Sequence, residues 1–168
     1  MMKINILQAK VSIGSRETFE FVTSTEKIDL EDKGPWINNE IKVEGELINN
    51  GYVLKIKGVI HATAKYQCNY CLEDFITNME IPFSDDFKDK STEEIDNEAD
   101  LAYYNGDEID IADLVRESMI LAEPLKVVCS KSCLGLCPHC GINLNVSQCT
   151  CKNNVIDPRL AVLSKLLK

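Results

Sequence analysis

A chain of 168 residues that is 45% hydrophobic and 27% charged has enough apolar side chains for one core, which excludes a disordered tail protein. With 27 acidic residues against 18 basic ones its formal charge is −9, and that excludes a protein gripping nucleic acid by neutralising phosphate over its whole surface. Its 8 cysteines are many for this length, and their placement, with six between Cys129 and Cys151, carries more information than their number.

The opening residues MMKINILQAK lack the apolar stretch and small-residue cleavage site of a secretory signal. No run approaches the ~20 apolar residues of a membrane span. A cytoplasmic protein with reduced thiols is therefore expected, so clustered cysteines read as metal ligands before they read as disulfides. Charge is unevenly spread. Residues 1–84 hold 12 acids and 9 bases, residues 85–117 hold 13 and 3, and residues 118–168 hold 2 and 6. The acidity belongs almost entirely to the middle segment.

Lys3 to Gln8 and Glu17 to Thr23 have the composition of strands, and Gly34-Pro35 breaks what precedes the next element. Ile41, Val43 and Leu47 recur at period two. Asn49-Asn50-Gly51 supplies hairpin turn residues, and Tyr52, Leu54, Ile56, Ile60, Ala62, Ala64 and Tyr66 line one face of a long second strand. After a reversal at Cys68-Asn69-Tyr70-Cys71, Phe75, Thr77, Met79, Ile81 and Phe83 alternate again, which predicts three consecutive antiparallel strands. Ser84 to Asn97 is acidic and poor in large apolar residues, so a solvated, mobile loop is expected there; a docking surface for a basic partner is the functional alternative. Order returns at Leu101 to Tyr104. Asp110 then caps a helix in which Ile111, Leu114, Val115, Met119 and Ile120 face one way, and Pro124 ends it. Asp157-Pro158 opens a short closing helix with Leu160, Leu163, Leu166 and Leu167 apolar.

The fold class that follows is α+β: an antiparallel β-sheet or partly open barrel, a helix after it, and a C-terminal Cys-rich zinc module ending in a short helix. The expected division is a β-rich part over 1–84, an acidic loop over 85–100, a strand and helix over 101–126 completing a single domain, a metal module over 127–156 and the helix over 157–168.

Within the cysteine cluster the strongest element is Cys137-Pro138-His139-Cys140-Gly141, because two thiolates three residues apart in a tight turn can chelate one ion while the glycine lets the backbone fold beneath it. Two further ligands must come from Cys129 and Cys133 upstream or from Cys149 and Cys151 downstream, and spacing does not choose between them. Six thiols exceed one four-coordinate ion, so either two are spare, or ligands bridge two ions, or Cys68 and Cys71 complete a second set. The candidate metal ligands are Cys129, Cys133, Cys137, Cys140, Cys149 and Cys151. Zinc suits four thiolates, an iron–sulfur cluster being the competing occupant, and a site closed by four sulfurs is structural because no position is left for water. Cys68 and Cys71 read equally as a ligand pair, a redox dithiol or two small buried hydrophobes. His139 is expected to face solvent, and His61 the polar side of its strand. With two histidines and no phosphate-binding glycine loop, no catalytic constellation is evident, so neither an enzyme nor a small-molecule substrate is expected.

Several motifs in order carry a family resemblance: Cys68-Asn69-Tyr70-Cys71-Leu72; Tyr104-Asn105-Gly106-Asp107-Glu108-Ile109-Asp110-Ile111 leading to Leu121-Ala122-Glu123-Pro124; Gly135-Leu136-Cys137-Pro138-His139-Cys140-Gly141 with Asn143-Leu144-Asn145; and Asp157-Pro158-Arg159. From the central hairpin onward the chain resembles the YceD family, the large ribosomal RNA subunit accumulation proteins. The resemblance implies a bacterial, non-catalytic factor for accumulation or processing of large-subunit rRNA. It also implies that the metal is accessory to the fold, since some members lack the clustered cysteines. The expected partner is a ribosomal protein or a large-subunit precursor particle. Direct rRNA contact through the C-terminal module, where Lys126, Lys131, Lys152, Arg159, Lys165 and Lys168 lie, is the secondary route. The competing classes are a zinc-stapled adaptor with no ribosomal role and a thiol redox protein using Cys68 and Cys71.

Overall fold

The computed structural model describes residues 2–30, 34–37, 40–90 and 101–151. Two compact units emerge, one from Met1–Tyr66 with Asp74–Leu125, the other from Gln67–Glu73 with Lys126–Lys168. The turn at 67–73 thus groups with the cysteine-rich segment, where the sequence expectation assigned it to the β-rich part.

The first unit begins with β1 (Lys3–Asn5) and α1 (Leu7–Val11), then β2 (Arg16–Thr23), β3 (Ile41–Asn49), β4 (Leu54–Gln67) and β5 (Asp74–Asp89). β6 (Ala102–Tyr104), β7 (Glu108–Asp110) and α2 (Ala112–Leu121) follow. Strands β2 to β6 form one open sheet in sequence order, while β1 and β7 pair as a separate two-stranded ribbon. β2 with β3 and β3 with β4 are antiparallel. Between β4 and β5 the side-chain contacts Lys55 with Asp86, Thr63 with Asn78 and Lys65 with Asp74 climb on one strand as they descend on the other, so this pair is antiparallel too.

Period-two alternation decides the faces. Ile41, Val43 and Leu47 of β3, and Leu54, Ile56, Ile60, Ala62, Ala64 and Tyr66 of β4, are all buried. The opposite face is charged and laced across strands by Lys57–Glu46 at 2.8 Å, Lys55–Asp86 at 3.2 Å and Lys42–Glu20 at 3.2 Å. Solvent screens exposed pairs of this kind, so they favour the register more than they stabilise the fold. Met2, Ile4, Ile6 and Ala9 from the N-terminus and Ile109, Ile111, Val115 and Met119 from β7 and α2 complete the core.

Asn49 ends β3 as a buried but fully engaged side chain. Its amide donates to the Ala9 carbonyl at 2.7 Å and its Oδ1 accepts from the Gly51 N–H at 2.7 Å. Gly51 takes φ 93°, the left-handed conformation the hairpin requires. Tyr52 belongs to this turn and is exposed, contrary to its expected place on the inner face, because the strand begins only at Leu54.

One row crosses the sheet without bulk at its centre. Phe19 pairs with Gly45 and Gly45 with Gly58, and the aromatic rings of Phe19 and Phe83 close over the two glycines. A Cβ on Gly58 would lie 2.7 Å from Phe83 Cζ and 2.8 Å from the Gly45 Cα.

Four further expectations need correction. Gln8 lies in α1, because Asn5 Oδ1 accepts the Leu7 N–H at 3.0 Å and turns the chain into a helix after β1. β5 runs on through Asp89, past the start of the expected loop at 85, since Phe83 and Phe87 keep the inward alternation and are buried. β6 pairs parallel with β5, which makes the sheet mixed and not purely antiparallel; such a pairing needs a return connection of about a dozen residues. Ile120 is exposed, because the buried stripe runs at a spacing of four from Ile111, just before α2, through Val115 and Met119 within it. The expected cap also shifts: Ile111 occupies the N-cap position without a side-chain bond, and Asp110, one place earlier, accepts the Ala112 N–H at 3.0 Å. The rest of the expected acidic loop, 91–100, and the closing helix, 157–168, lie outside the described residues.

Gly58→Ala is expected to lower stability by about 1–3 kcal/mol, because the added methyl has no room in the phenylalanine-covered row. Urea unfolding followed by circular dichroism measures this, and an unchanged midpoint would contradict the packing described.

Candidate metal centre

The second unit has no regular helix or strand among its described residues beyond the last residue of β4. What organises it is a repeated turn. In Cys68-Asn69-Tyr70-Cys71-Leu72-Glu73 the Leu72 N–H donates to the Cys68 carbonyl at 2.9 Å and the Cys68 N–H to the Glu73 carbonyl at 2.9 Å. In Cys137-Pro138-His139-Cys140-Gly141-Ile142 the Gly141 N–H donates to the Cys137 carbonyl at 2.9 Å and the Cys137 N–H to the Ile142 carbonyl at 2.8 Å. The same two hydrogen bonds close both turns, and the fifth residue is left-handed in each, with φ 59° at Leu72 and 73° at Gly141.

Each turn meets a second pair of cysteines. Cys68, Cys71, Cys129 and Cys133 form one group and Cys137, Cys140, Cys149 and Cys151 another, with the four sulfurs of each lying within 4.8 Å of one another. In the first group Cys68 and Cys133 approach to 3.9 Å and Cys71 and Cys129 to 3.7 Å. In the second, Cys149 lies 3.3 Å from Cys137 and 3.5 Å from Cys140. Four thiolates ~2.3 Å from one tetrahedral ion stand about 3.8 Å apart, so these spacings suit a shared cation. All eight cysteines are free thiols. Each group can hold one metal ion.

The six cysteines expected from spacing are therefore all placed in these groups, but not as one set. Cys149 and Cys151 complete the Cys137 turn, whereas Cys129 and Cys133 go to Cys68 and Cys71. His139 is exposed and outside both groups, and His61 lies 3.9 Å from Glu80 on the outer face of the sheet. Spacing alone leaves the membership of Cys68 and Cys71 open, because Cys129 lies 58 positions beyond Cys71 and the fold of the intervening chain sets their separation. The signal that could have found them is the pairing of the two Cys-x-x-Cys turns as copies of one motif.

The electrostatics of the two groups match. Burial works against the Cys68 thiolate, but the backbone N–H groups of Cys129, Cys71 and Tyr70 outweigh it and hold the thiol down at about 6. The backbone N–H groups of Cys140 and His139 hold Cys137 down to about 6 as well. Burial and the surrounding thiols push Cys129 up to about 12, and the neighbouring Cys149 and Cys140 thiols push Cys151 up to about 12. Each group thus offers one ready thiolate and one thiol that only a cation can ionise at neutral pH.

Comparison with known proteins now adds a finding of a different kind. The sequence profile described as large ribosomal RNA subunit accumulation protein YceD matches residues 56–167. The chain belongs to the YceD family. An uncharacterized protein of Mycobacterium tuberculosis is 27% identical over 157 residues, spanning 90% of this chain and 73% of that relative. The uncharacterized protein YlbN of Bacillus subtilis is 28% identical over 156 residues, spanning 91% and 90% of the two chains. A maize protein named large ribosomal RNA subunit accumulation protein YCED homolog 1, chloroplastic, is 50% identical over 46 residues, 27% of this chain and 16% of that relative. No solved structure gave a significant match. The YceD match runs from within β4 through both cysteine groups, and the family is named for rRNA accumulation, not for a catalysed reaction. Among the described residues no helix is long and apolar enough to cross a membrane.

Two outcomes follow for the YceD turns. Leu72→Gly relieves a left-handed leucine and should leave stability unchanged or raise it by up to about 1 kcal/mol, whereas Gly141→Ala, with open space around the new methyl, should cost about 1 kcal/mol through backbone strain alone. Thermal unfolding of the metal-loaded protein compares them, and equal destabilisation by both would contradict the shared geometry. Zinc uptake by the metal-free protein should release protons at neutral pH and weaken as pH falls, because the free thiols must lose their protons to bind an ion. Proton release in weak buffer during a zinc titration reads this, and uptake without proton release would contradict thiolate ligation.

Proposed function

We propose that this chain is a cytoplasmic, non-catalytic ribosome-biogenesis factor that supports accumulation and processing of large-subunit rRNA through a ribosomal protein or a precursor particle. Its cysteine groups bind zinc, which serves the fold. The observation carrying the functional reading is the family match over residues 56–167, which takes in the β4–β5 sheet, α2 and both cysteine groups together.

The donor chemistry favours zinc. Four thiolates around one ion leave no open position for water, so the role is structural and not Lewis-acid catalysis. Charge favours contact through protein. Over 67–73 and 126–151 the unit carries Lys126, Lys131 and Glu73 as its charged residues. Lys152, Arg159, Lys165 and Lys168 against Asp157 bring the whole unit to six bases and two acids; a divalent ion held by four thiolates bears two negative charges, so two such ions cancel that excess and leave no net positive charge for gripping phosphate. A basic ribosomal protein is the better match, and the acidic segment within 85–117 offers it a complementary surface.

The tagged protein is expected to co-sediment with precursor large-subunit particles, and its deletion to lower large-subunit rRNA. Absence from every ribosomal fraction, with normal rRNA after deletion, would replace this reading with an adaptor that has no ribosomal role. Metal analysis of unsupplemented protein should find zinc, and iron with acid-labile sulfide would overturn that assignment.

A further inference from the structure

The segment Asn143-Leu144-Asn145 lies between two ligands of the second cysteine group, Cys140 and Cys149, yet its side chains are spent on the first. The Asn145 amide donates to Cys133 Sγ at 3.4 Å and to Asn143 Oδ1 at 2.9 Å, while Asn145 Oδ1 accepts the Leu134 N–H at 2.8 Å. Asn145 therefore holds both the sulfur of Cys133 and the peptide that follows it. Asn143 reaches Glu73 Oε1 at 3.4 Å, and the carbonyl of Glu73 closes the Cys68 turn. Backbone bonds continue the path: Leu144 N–H to the Gly135 carbonyl at 2.9 Å and Leu136 N–H to the Tyr70 carbonyl at 3.0 Å.

We infer that Asn145 is a positioning residue that couples the two metal sites, so that filling Cys137, Cys140, Cys149 and Cys151 prepares Cys68, Cys71, Cys129 and Cys133 for their ion. The inference rests on the four-thiolate metal reading above. The physical basis is ordinary outer-shell chemistry: a donor to a ligand sulfur fixes its orientation and stabilises its thiolate. What is particular to this chain is where the donor is mounted. It sits on a loop that backbone hydrogen bonds tie down as far as Leu144, but whose far end at Cys149 is fixed to the Cys137 turn only when Cys140 and Cys149 share an ion. Without that ion the loop has no covalent or coordinate anchor at its far end, and the first site has to order Cys133 unaided. By linkage the effect is reciprocal, and the first ion steadies the loop that carries the second.

The test is a zinc titration of the metal-free full chain under reducing conditions, followed by native mass spectrometry. The expected result is a mixture dominated by chains with no ion and chains with two, the one-ion form being scarce. In Asn145→Ala the one-ion form should become abundant, with the first site weakened at least about tenfold. Val146→Ala, on the same loop with its side chain exposed, should behave like the unaltered chain. Cys140→Ser separates coupling from simple bracing. Once the second site is broken, adding Asn145→Ala should weaken the first site by little more, because the loop has already lost its anchor. Full additivity of the two substitutions would overturn the coupling, as would a prominent one-ion form in the unaltered chain. A chain that takes up no zinc at all sinks the metal reading and this inference with it.

Discussion

Four thiolates brought within van der Waals reach of one another repel unless a cation sits among them, and in this chain that constraint stands where a hydrophobic core would otherwise be. In the described part of the second unit the buried apolar-class side chains are Cys68, Cys71 and Cys137. Leu72, Leu134 and Val146, which could have formed a core, are exposed. A unit this poor in buried carbon cannot offset the entropy of ordering its chain by burial alone. In the proposed zinc-bound form metal–sulfur bonds supply that free energy, and folding and metal uptake become one event.

The first unit is held by different physics. Its sheet is conventional in having an apolar inner face and an ion-paired outer one, but the row through Phe19, Gly45, Gly58 and Phe83 shows a local agreement between strands distant in sequence. Glycine in a strand interior weakens the strand; two facing glycines beneath two aromatic rings recover the loss by letting large side chains lie flat across the backbone. The bulk removed from β3 and β4 is returned from β2 and β5.

How much of this is legible in the sequence depends on whether the signal is local. The alternation of β3, β4 and most of β5, the Asn-Gly turn and the buried stripe of α2 are local patterns, and they read directly. β5 outruns its expected end because Asp85 and Asp86 look like loop residues. Asp85 is half-buried in the strand, where burial with Asp86 and Glu117 close by pushes its carboxyl above the usual carboxylate range. The parallel pairing of β6 is set by a partner strand, which three residues of sequence cannot specify. In the cysteine-rich part all the ligand types were visible, but the partition was not: the first group joins Cys71 to Cys129, 58 residues away, and no spacing rule reaches so far.

That separation has a temporal meaning. Synthesis delivers the Cys68 turn long before Cys129 and Cys133 exist, and the whole of β5, β6, β7 and α2 is made in between. Until then the early turn has two ligands and no way to close a tetrahedral site. Completion of that group therefore requires that synthesis has passed Cys133, and a chain cut short between Glu73 and Lys126 carries only half of the four thiols. The order of residues along the chain makes the first cysteine group a record that the whole of the first unit has been made.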